Sequence, residues 1–342
     1  MLGRIARARV ARACVPALLA TGMGLAVIAS VPRRPPLRAR PSARELWGFT
    51  APWDPRSAAT VAQHGGALDV IVSGWLRLDT VTALPTAVYP DTMHVPGRPR
   101  RFALVTTYAR DRFHPELIAR LAADGALRGR TAGALARLAS DSGYAGLVLD
   151  FEGLTPLDTT ALATVVTAIA DSSHRHGVRP VTIAVVPTDT IVFAERRLRA
   201  ADLLLLMLYD EHWATGAPGP IASPAWVRAA LAIRTARSGA SRLVAALPSY
   251  GYLWKAPAPA AVLSFADAER LAADGGVRLT RDAASGMLHF VRPDSAQGWV
   301  GDAEQLRTLE RTVDAAGVRR VAIWRLGLED PRIWDRGGAG SR

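Results

Sequence analysis

Two acidic side chains, Asp150 and Glu152, end an apolar run that begins at Tyr144. Alternate side chains of a β-strand point to opposite faces, so both carboxylates share one face with Val148. Two carboxylates this close raise the pKa of one of them, which a general acid working near neutral pH needs. The spacing therefore predicts acid–base chemistry at the end of a strand. The alternative interpretation is that the two acids only mark the point where the strand enters solvent.

Three further apolar runs also end in aromatic or polar side chains. Leu203–Tyr209 leads into Asp210, Leu243–Tyr250 ends on a tyrosine, and Val318–Leu326 places Trp324 near its carboxyl end. Aromatic planes with a few polar groups suit the flat apolar faces of sugar rings. If the four strand ends meet at one rim, they form a sugar-binding cleft. Each aromatic ring taken alone is better explained by packing.

The elements that would bring these ends together alternate along the chain. Helical patterns occupy Thr131–Ser140, Asp158–His176, Pro224–Arg237 and Asp302–Ala316. The strand-like runs number eight and occupy Leu46–Pro52, Leu68–Trp75, Phe102–Tyr108, Tyr144–Phe151, Val178–Val186, Leu203–Tyr209, Leu243–Tyr250 and Val318–Leu326. This pattern predicts the α/β class and a (β/α)8 TIM barrel, in which the carboxyl ends of the strands carry the chemistry. A doubly wound open sheet is the alternative, but no glycine-rich phosphate-binding turn follows any strand.

One stretch interrupts the alternation after the seventh strand. Ser264–Val291 combines a short helical pattern, Phe265–Ala273, with two short strand-like runs joined by a turn at Gly286. We predict a small inserted α+β subdomain of about residues 264–291. The barrel domain then spans residues 45–336, and we expect residues 337–342 to form a disordered tail.

The first 44 residues do not fit the barrel. Ala13–Val31 is an uncharged run of 19 residues, preceded by four arginines and followed by a Pro/Arg-rich linker over residues 32–44. This layout is typical of a secretory signal peptide, and the run is close to the roughly 20 residues that span a bilayer. We predict a signal peptide or an uncleaved membrane anchor over residues 1–31. The protein is then expected in the periplasm, in the cell envelope or outside the cell.

The net charge of +12 comes mostly from this leader, which carries nine of the 42 basic residues and no acid. The rest of the chain has 33 basic against 30 acidic residues, so we predict no nucleic-acid partner. Cys14 is the only cysteine, which leaves no intrachain disulfide and no cysteine-based metal site. His174 and His176 have a spacing that does not face one metal ion from a helix. We predict no metal, no cofactor and a monomer.

Taken together, the strand ends resemble the motifs of glycoside hydrolase family 18, the chitinase-like barrels. Tyr144–Glu152 is similar to the end of the family's fourth strand, D-G-x-D-x-D-x-E. Met207–Asp210 resembles the sixth-strand M-x-Y-D, and Pro248–Gly251 resembles the seventh-strand P-x-Y-G. Trp324 stands where the eighth strand has its tryptophan. Tyr209–Trp213 adds a likeness to the branch with spore-germination, peptidoglycan-acting members and barrels found beside polysaccharide deacetylases.

The resemblance implies an exported enzyme that hydrolyses β-linked N-acetylglucosamine in peptidoglycan, chitin-like polymers or poly-N-acetylglucosamine. Its catalysis would be substrate-assisted and retaining, without an enzyme nucleophile. Glu152 would be the general acid and then the base, while Asp150 and Tyr209 would hold the attacking acetamide. The other residues expected to bind the sugar are Asp210, Met207, Trp324, Tyr250 and Trp53.

The chain departs from the family pattern at two positions. Ala145 and Val148 replace its first two aspartates. With valine at position 148, Asp150 lacks the partner with which it would share a proton, so we expect slow activity or an altered pH dependence. The alternative function is a catalytically weak or inactive glycan-binding barrel of the cell envelope. Retention of Glu152 favours the enzyme.

Overall fold

The computed structural model describes residues 44–187 and 198–335. Its strands are β1 (Glu45–Phe49), β2 (Val70–Leu78), β3 (Pro85–Ala87), β4 (Arg100–Thr106), β5 (Gly146–Asp150), β6 (Val181–Val185), β7 (Leu203–Met207), β8 (Leu243–Pro248), β9 (Gly251–Lys255), β10 (Ala258–Leu263), β11 (Thr280–Arg281), β12 (Leu288–Val291), β13 (Gln297–Val300) and β14 (Arg320–Trp324). Its α-helices are α1 (Pro55–His64), α2 (Pro115–Ala123), α3 (Gly125–Asp141), α4 (Thr159–Arg175), α5 (Pro224–Ser238), α6 (Phe265–Asp274) and α7 (Ala303–Ala315).

Eight of the strands close into a parallel barrel. Their order is β1, β14, β8, β7, β6, β5, β4 and β2, and β2 pairs with β1 to complete the circle. The predicted TIM barrel is therefore confirmed, and the open sheet is excluded because it would leave two unpaired edges. Each predicted strand is present, and its ends differ from the prediction by at most three residues.

Side chains of the barrel strands pack in two apolar layers. Leu147 and Leu149 of β5 lie in the outer layer, between the barrel and the helices, whereas Val148 lies in the barrel interior. Trp47 and Phe102 meet edge to face in that interior, with ring centroids 5.1 Å apart. Burial of each such side chain contributes roughly 1.5–3 kcal/mol. The two layers explain why β5 is apolar on both faces.

Two helices, α1 and α2, are absent from the sequence-based prediction. Each begins with a proline, which the first helical position tolerates because its N–H would have no helical partner. At α1 the Asp54 side chain accepts a hydrogen bond from the amide of Arg56 and so caps the helix. The two prolines therefore mark helix starts here and not loops.

A second sheet forms the insertion between β8 and α7. Its antiparallel strands follow the order β10, β9, β13, β12 and β11, and α6 packs against them. The insertion runs from Gly251 to Val300 and so extends beyond the predicted residues 264–291 on both sides. The prediction missed β9 because Tyr252 and Trp254 continue the aromatic end of β8. It missed β10 because that strand is rich in alanine.

Within residues 44–187 and 198–335, no helix is both long enough and apolar enough to cross a bilayer. The predicted signal peptide or anchor over residues 1–31 lies outside the described residues, as do residues 32–43 of the linker and the tail over 337–342.

Candidate active site

The barrel brings the predicted residues to one end of the molecule. Asp150, Met207 and Trp324 are the last residues of β5, β7 and β14. Glu152 and Tyr209 each follow a strand end by two residues. In a parallel barrel all these positions lie at the carboxyl-end face, where the loops form a site above a packed core.

Two cavities open at this face, and Trp324 lines both. The Glu152 cavity has a volume of about 610 Å³ and is lined by Glu152, Val186, Pro187, Met207, Tyr209, Asp210, Trp213, Trp226 and Trp324. The Asp150 cavity has a volume of about 400 Å³ and is lined by Asp150, Trp53, Trp75, Arg77, Val88, Tyr89, Thr106, Tyr108, Ala109, Arg110, Asp111, Phe113 and Trp324. The two cavities share Trp324, and each is lined by one member of the carboxyl pair, so together they form one aromatic cleft across the barrel mouth.

The carboxyl groups of Asp150 and Glu152 interact at the centre of the cleft. Burial, and next the negative charge of Asp150, raise the pKa of Glu152 to about 8. Burial also raises the pKa of Asp150, while hydrogen bonds from Glu152 and Thr106 act to lower it. Because the hydrogen bond from Glu152 favours the charged form of Asp150, the proton of the pair resides on Glu152. Glu152 therefore carries a proton at neutral pH and is able to act as a general acid.

Thr106 is the neighbour of Asp150 on β4, and the register pairs the two residues directly. Its hydroxyl forms a hydrogen bond with the Asp150 carboxylate and also accepts a hydrogen bond from the backbone amide of Tyr108 at 3.0 Å. On the same face one layer deeper lies Val148, which is buried in the apolar interior. Asp150 thus receives its second hydrogen bond from the adjacent strand, because valine offers none.

Asp210 is fixed by two tyrosines. The Tyr250 hydroxyl donates to Asp210 Oδ1, and Tyr252 adds a second hydrogen bond. Burial raises the pKa of Asp210, and the hydrogen bonds from the two phenols act to lower it. The Asp210 backbone has a φ of +62°, in the left-handed region that residues with a side chain rarely adopt. Such conformations persist where surrounding contacts hold them, and they cluster at functional sites.

Tyr209 and Trp324 stack in the Glu152 cavity. Their ring centroids are 6.1 Å apart and their planes differ by 13°. Phe49 supports Trp324 edge-on from within the barrel, with a centroid distance of 5.4 Å. Burial raises the pKa of Tyr209 well above its usual range, so its hydroxyl stays protonated and can donate a hydrogen bond. The cavity therefore combines an apolar platform, a phenol donor and a proton donor.

The structure brings most of the predicted site residues to the cleft. Tyr250 differs, because it is buried and contacts Asp210 without lining either cavity. The predicted residues that line a cavity are Glu152, Asp150, Tyr209, Asp210, Met207, Trp324 and Trp53.

Several residues of the site are absent from the sequence-based prediction. Trp75 and Trp213 had a sequence signal, since Trp75 ends one apolar strand-like run and Trp213 stands shortly after another. Thr106, Trp226 and Tyr252 had no such signal, because only the fold brings Thr106 and Trp226 to the cleft and Tyr252 to Asp210. In the described part of the chain, no group of three or more His, Cys, Asp or Glu side chains is arranged to hold a metal ion.

The closed parallel barrel, with an acid pair and an aromatic cleft at its carboxyl ends, has the fold of the chitinase-like barrels. The chain is 21% identical to an uncharacterised glycosylase of Bacillus subtilis, YvbX, over 65% of this chain and 69% of the relative. The spore cortex-lytic enzyme SleL of Bacillus cereus matches with a TM-score of 0.76 at 18% identity, covering 85% of this chain and 73% of that chain. A chitinase from Chromobacterium violaceum matches with a TM-score of 0.74 at 19% identity, covering 85% and 97%.

No protein-family model matches the chain. The match spans 58% and 57% of the length of two further Bacillus subtilis relatives. The structural matches confirm the chitinase-like TIM barrel. The glycosylase, the cortex-lytic enzyme and the chitinase together confirm the predicted resemblance to glycoside hydrolase family 18, and their names agree with the predicted enzyme class.

Proposed function

We propose that this protein is an exported glycosidase that cleaves polysaccharides containing β-linked N-acetylglucosamine by substrate-assisted retaining hydrolysis. The observation that carries the proposal is the pKa of Glu152, raised to about 8 by burial and by Asp150, in the wall of an aromatic cleft. An acid that stays protonated at neutral pH suits protonation of a glycosidic oxygen. The names of the similar proteins, a glycosylase and chitinases, support the same substrate class.

In the first step, the Glu152 proton moves to the glycosidic oxygen, and the bond from that oxygen to the anomeric carbon breaks. The acetamide oxygen of the same sugar forms the new bond to the anomeric carbon, so the enzyme supplies no nucleophile. Asp150 accepts the acetamide N–H and stabilises the positive charge of the cyclised intermediate. Tyr209 donates its hydroxyl to the acetamide oxygen.

In the second step, Glu152 is a carboxylate and takes a proton from the attacking water. The water oxygen bonds to the anomeric carbon, the cyclised acetamide opens, and Glu152 regains its proton. Two displacements at one carbon return the original β configuration. Trp324 forms the floor under the reacting ring, and Asp210 holds a sugar hydroxyl from the position that its tyrosine contacts fix.

Glu152→Gln tests the acid role, because glutamine keeps the shape of the side chain and loses the proton. We expect release of reducing ends from chitin, peptidoglycan or poly-N-acetylglucosamine to fall by about 10²–10⁴-fold, with polymer binding retained. Glu269→Gln, at an exposed position on α6, is the matched control. Equal activity of Glu152→Gln and wild type would overturn the proposal.

A glycan-binding barrel without catalysis is the second candidate. The observation that favours it is the pair Ala145 and Val148, which replaces two aspartates of the family pattern. Wild-type protein that binds these polymers and releases no reducing ends from any of them would establish this candidate in place of the glycosidase.

Export is part of the same proposal and is supported by the uncharged run Ala13–Val31 between arginines. Cells that express the whole chain should place it outside the cytoplasm, either with its N-terminus removed or bound to the membrane. Fractionation followed by N-terminal sequencing measures this. An intact chain found only in the cytoplasm would contradict export.

A further inference from the structure

Arg77 lies inside the Asp150 cavity and is not explained by the mechanism above. It is half-buried on β2 and lines the cavity together with Trp75, two residues earlier on the same face of the strand. The register pairs Arg77 with Thr106 and Thr106 with Asp150, so the three residues form one row across neighbouring strands. Adjacent strands are about 4.8 Å apart, which places Arg77 roughly 10 Å from Asp150 along this row.

The Arg77 guanidinium has no hydrogen-bond or ion-pair partner among residues 44–187 and 198–335. Its charge acts only at a distance on Asp79, whose carboxylate accepts hydrogen bonds from the amides of Val81 and Thr82. Arg325 at the same rim differs, because it donates to Asp54 at 3.1 Å. A half-buried guanidinium normally pairs with an anion, and its fork of donors matches a carboxylate.

A second cation, Arg110, lines the same cavity from the loop after β4. It is exposed and has a φ of +49°. Asp111, also exposed, lines the cavity beside it and partly offsets its charge. Arg77 is therefore the cation that lies within the cavity, and Arg110 lies at the rim. A polymer of neutral sugars gives neither guanidinium an anionic partner.

We infer that Arg77 binds a carboxylate on the sugar next to the reacting N-acetylglucosamine. The substrate is then a glycan in which N-acetylglucosamine alternates with an acidic sugar, either a lactyl-ether sugar or a uronic acid. Trp53 and Trp75 contact the apolar faces of that sugar, and the Arg77 fork holds its carboxylate. The inference rests on the proposed function and deepens it by selecting the class of glycan.

The test compares glycans that differ only at the carboxylate. The substrates are an N-acetylglucosamine–lactyl-ether glycan without peptides, an N-acetylglucosamine–uronic acid glycan, and the methyl ester of each. For wild type we expect KM to be about tenfold lower for at least one acid than for its ester, with kcat nearly equal, and the acid that shows the preference identifies the source. Arg77→Gln should bring this KM ratio close to one, and Arg77→Lys should restore part of it.

Arg175→Gln is the matched control, because Arg175 is exposed at the end of α4, where the chain returns to the start of β6 at the opposite end of the barrel. It should keep the wild-type ratio. Equal KM values for acids and esters in wild type, or an unchanged ratio in Arg77→Gln, would overturn the inference. Binding of the same glycans to Glu152→Gln separates the two proposals: an acid preference there supports the Arg77 site even if wild type cleaves nothing, whereas cleavage without the preference leaves the glycosidase intact.

Discussion

Val148 occupies the position where the family pattern has the aspartate that would share a proton with Asp150. In this chain Asp150 has a different neighbour, the hydroxyl of Thr106 on the next strand. A threonine hydroxyl donates a hydrogen bond but, unlike a carboxyl group, does not ionise near neutral pH. Neither Val148 nor Thr106 therefore takes part in the proton sharing between Asp150 and Glu152. The valine changes how Asp150 is held and leaves the proton of the pair on Glu152.

Removal of the Thr106 hydroxyl should slow catalysis. Thr106→Val keeps the shape of the side chain and deletes a hydrogen bond to a charged group, which is worth about 1.5–3 kcal/mol, so kcat/KM should fall about 10–100-fold. The pKa of Asp150 should rise, which moves the acidic limb of the pH–rate profile to higher pH. Thr107→Val is the control, because the Thr107 hydroxyl is buried and has no hydrogen-bond partner in the part of the chain that the structure describes. Equal losses in both variants would contradict the role of Thr106.

The raised pKa of Glu152 also predicts a pH-dependent stability. Burial and Asp150 raise this pKa from 4.5 to about 8, so between these values the folded chain binds a proton that the unfolded chain releases. The contribution of Glu152 to folding stability therefore falls as the pH rises through this window. Glu152→Gln removes the titration and should be more stable than wild type above about pH 8. Thermal unfolding measures this difference in stability, because each kcal/mol of added stability raises Tm by about 2–4 °C. A stability difference that is the same at pH 5 and pH 8.5 would contradict the shift.

Among the elements, the insertion completes the site that the barrel begins. Tyr250 follows β8 and Tyr252 belongs to β9, so the insertion supplies one of the two phenols that hold Asp210. β9 is held against β13, where Gly251 pairs with Val300. A Cβ atom on Gly251 would lie 1.9 Å from the carbonyl oxygen of Trp299. This close backbone contact allows only glycine.

Gly251→Ala should therefore destabilise the protein and impair the site together. We expect the free energy of unfolding to fall by about 1–3 kcal/mol as β9 moves away from β13. The rate should fall as well, because Tyr252 then no longer positions Asp210. Gly129→Ala is the control, because this exposed position in α3 has open space for a Cβ atom. Alanine there should raise the free energy of unfolding by about 0.5–1 kcal/mol. Urea unfolding and kcat/KM measure both effects. A Gly251→Ala variant that matches wild type would contradict this account of the insertion.

At the scale of the whole molecule, the barrel could be predicted because its strands carry a local signal. A strand such as β7 is apolar on both faces, and this pattern is present in the sequence before any tertiary contact is known. The strands of the insertion have a weaker pattern in the sequence. β10 is rich in alanine, and the aromatic residues of β9 follow those at the end of β8 without a visible boundary. The helices α1 and α2 were missed because their first residues are prolines.

The residues of the site, like the elements of the fold, could be predicted where they carry a local pattern in the sequence. Asp150, Glu152 and Trp324 could be predicted because they stand at the ends of recognisable strands. Thr106 and Arg77 could not, because strand pairing in the closed barrel, and not sequence spacing, places them in a row with Asp150. Site residues that only strand pairing brings together can be identified from the three-dimensional structure and not from the sequence.

The central claim is that the substrate's own acetamide is the nucleophile. It is tested most directly by incubating wild-type protein with fully N-acetylated and with de-N-acetylated β-linked glucosamine polymers, and following the anomeric configuration of new ends by NMR. We predict cleavage only next to N-acetylated sugars, with the β anomer formed first. Equal cleavage of the de-N-acetylated polymer, or initial release of the α anomer, would contradict substrate-assisted retaining catalysis.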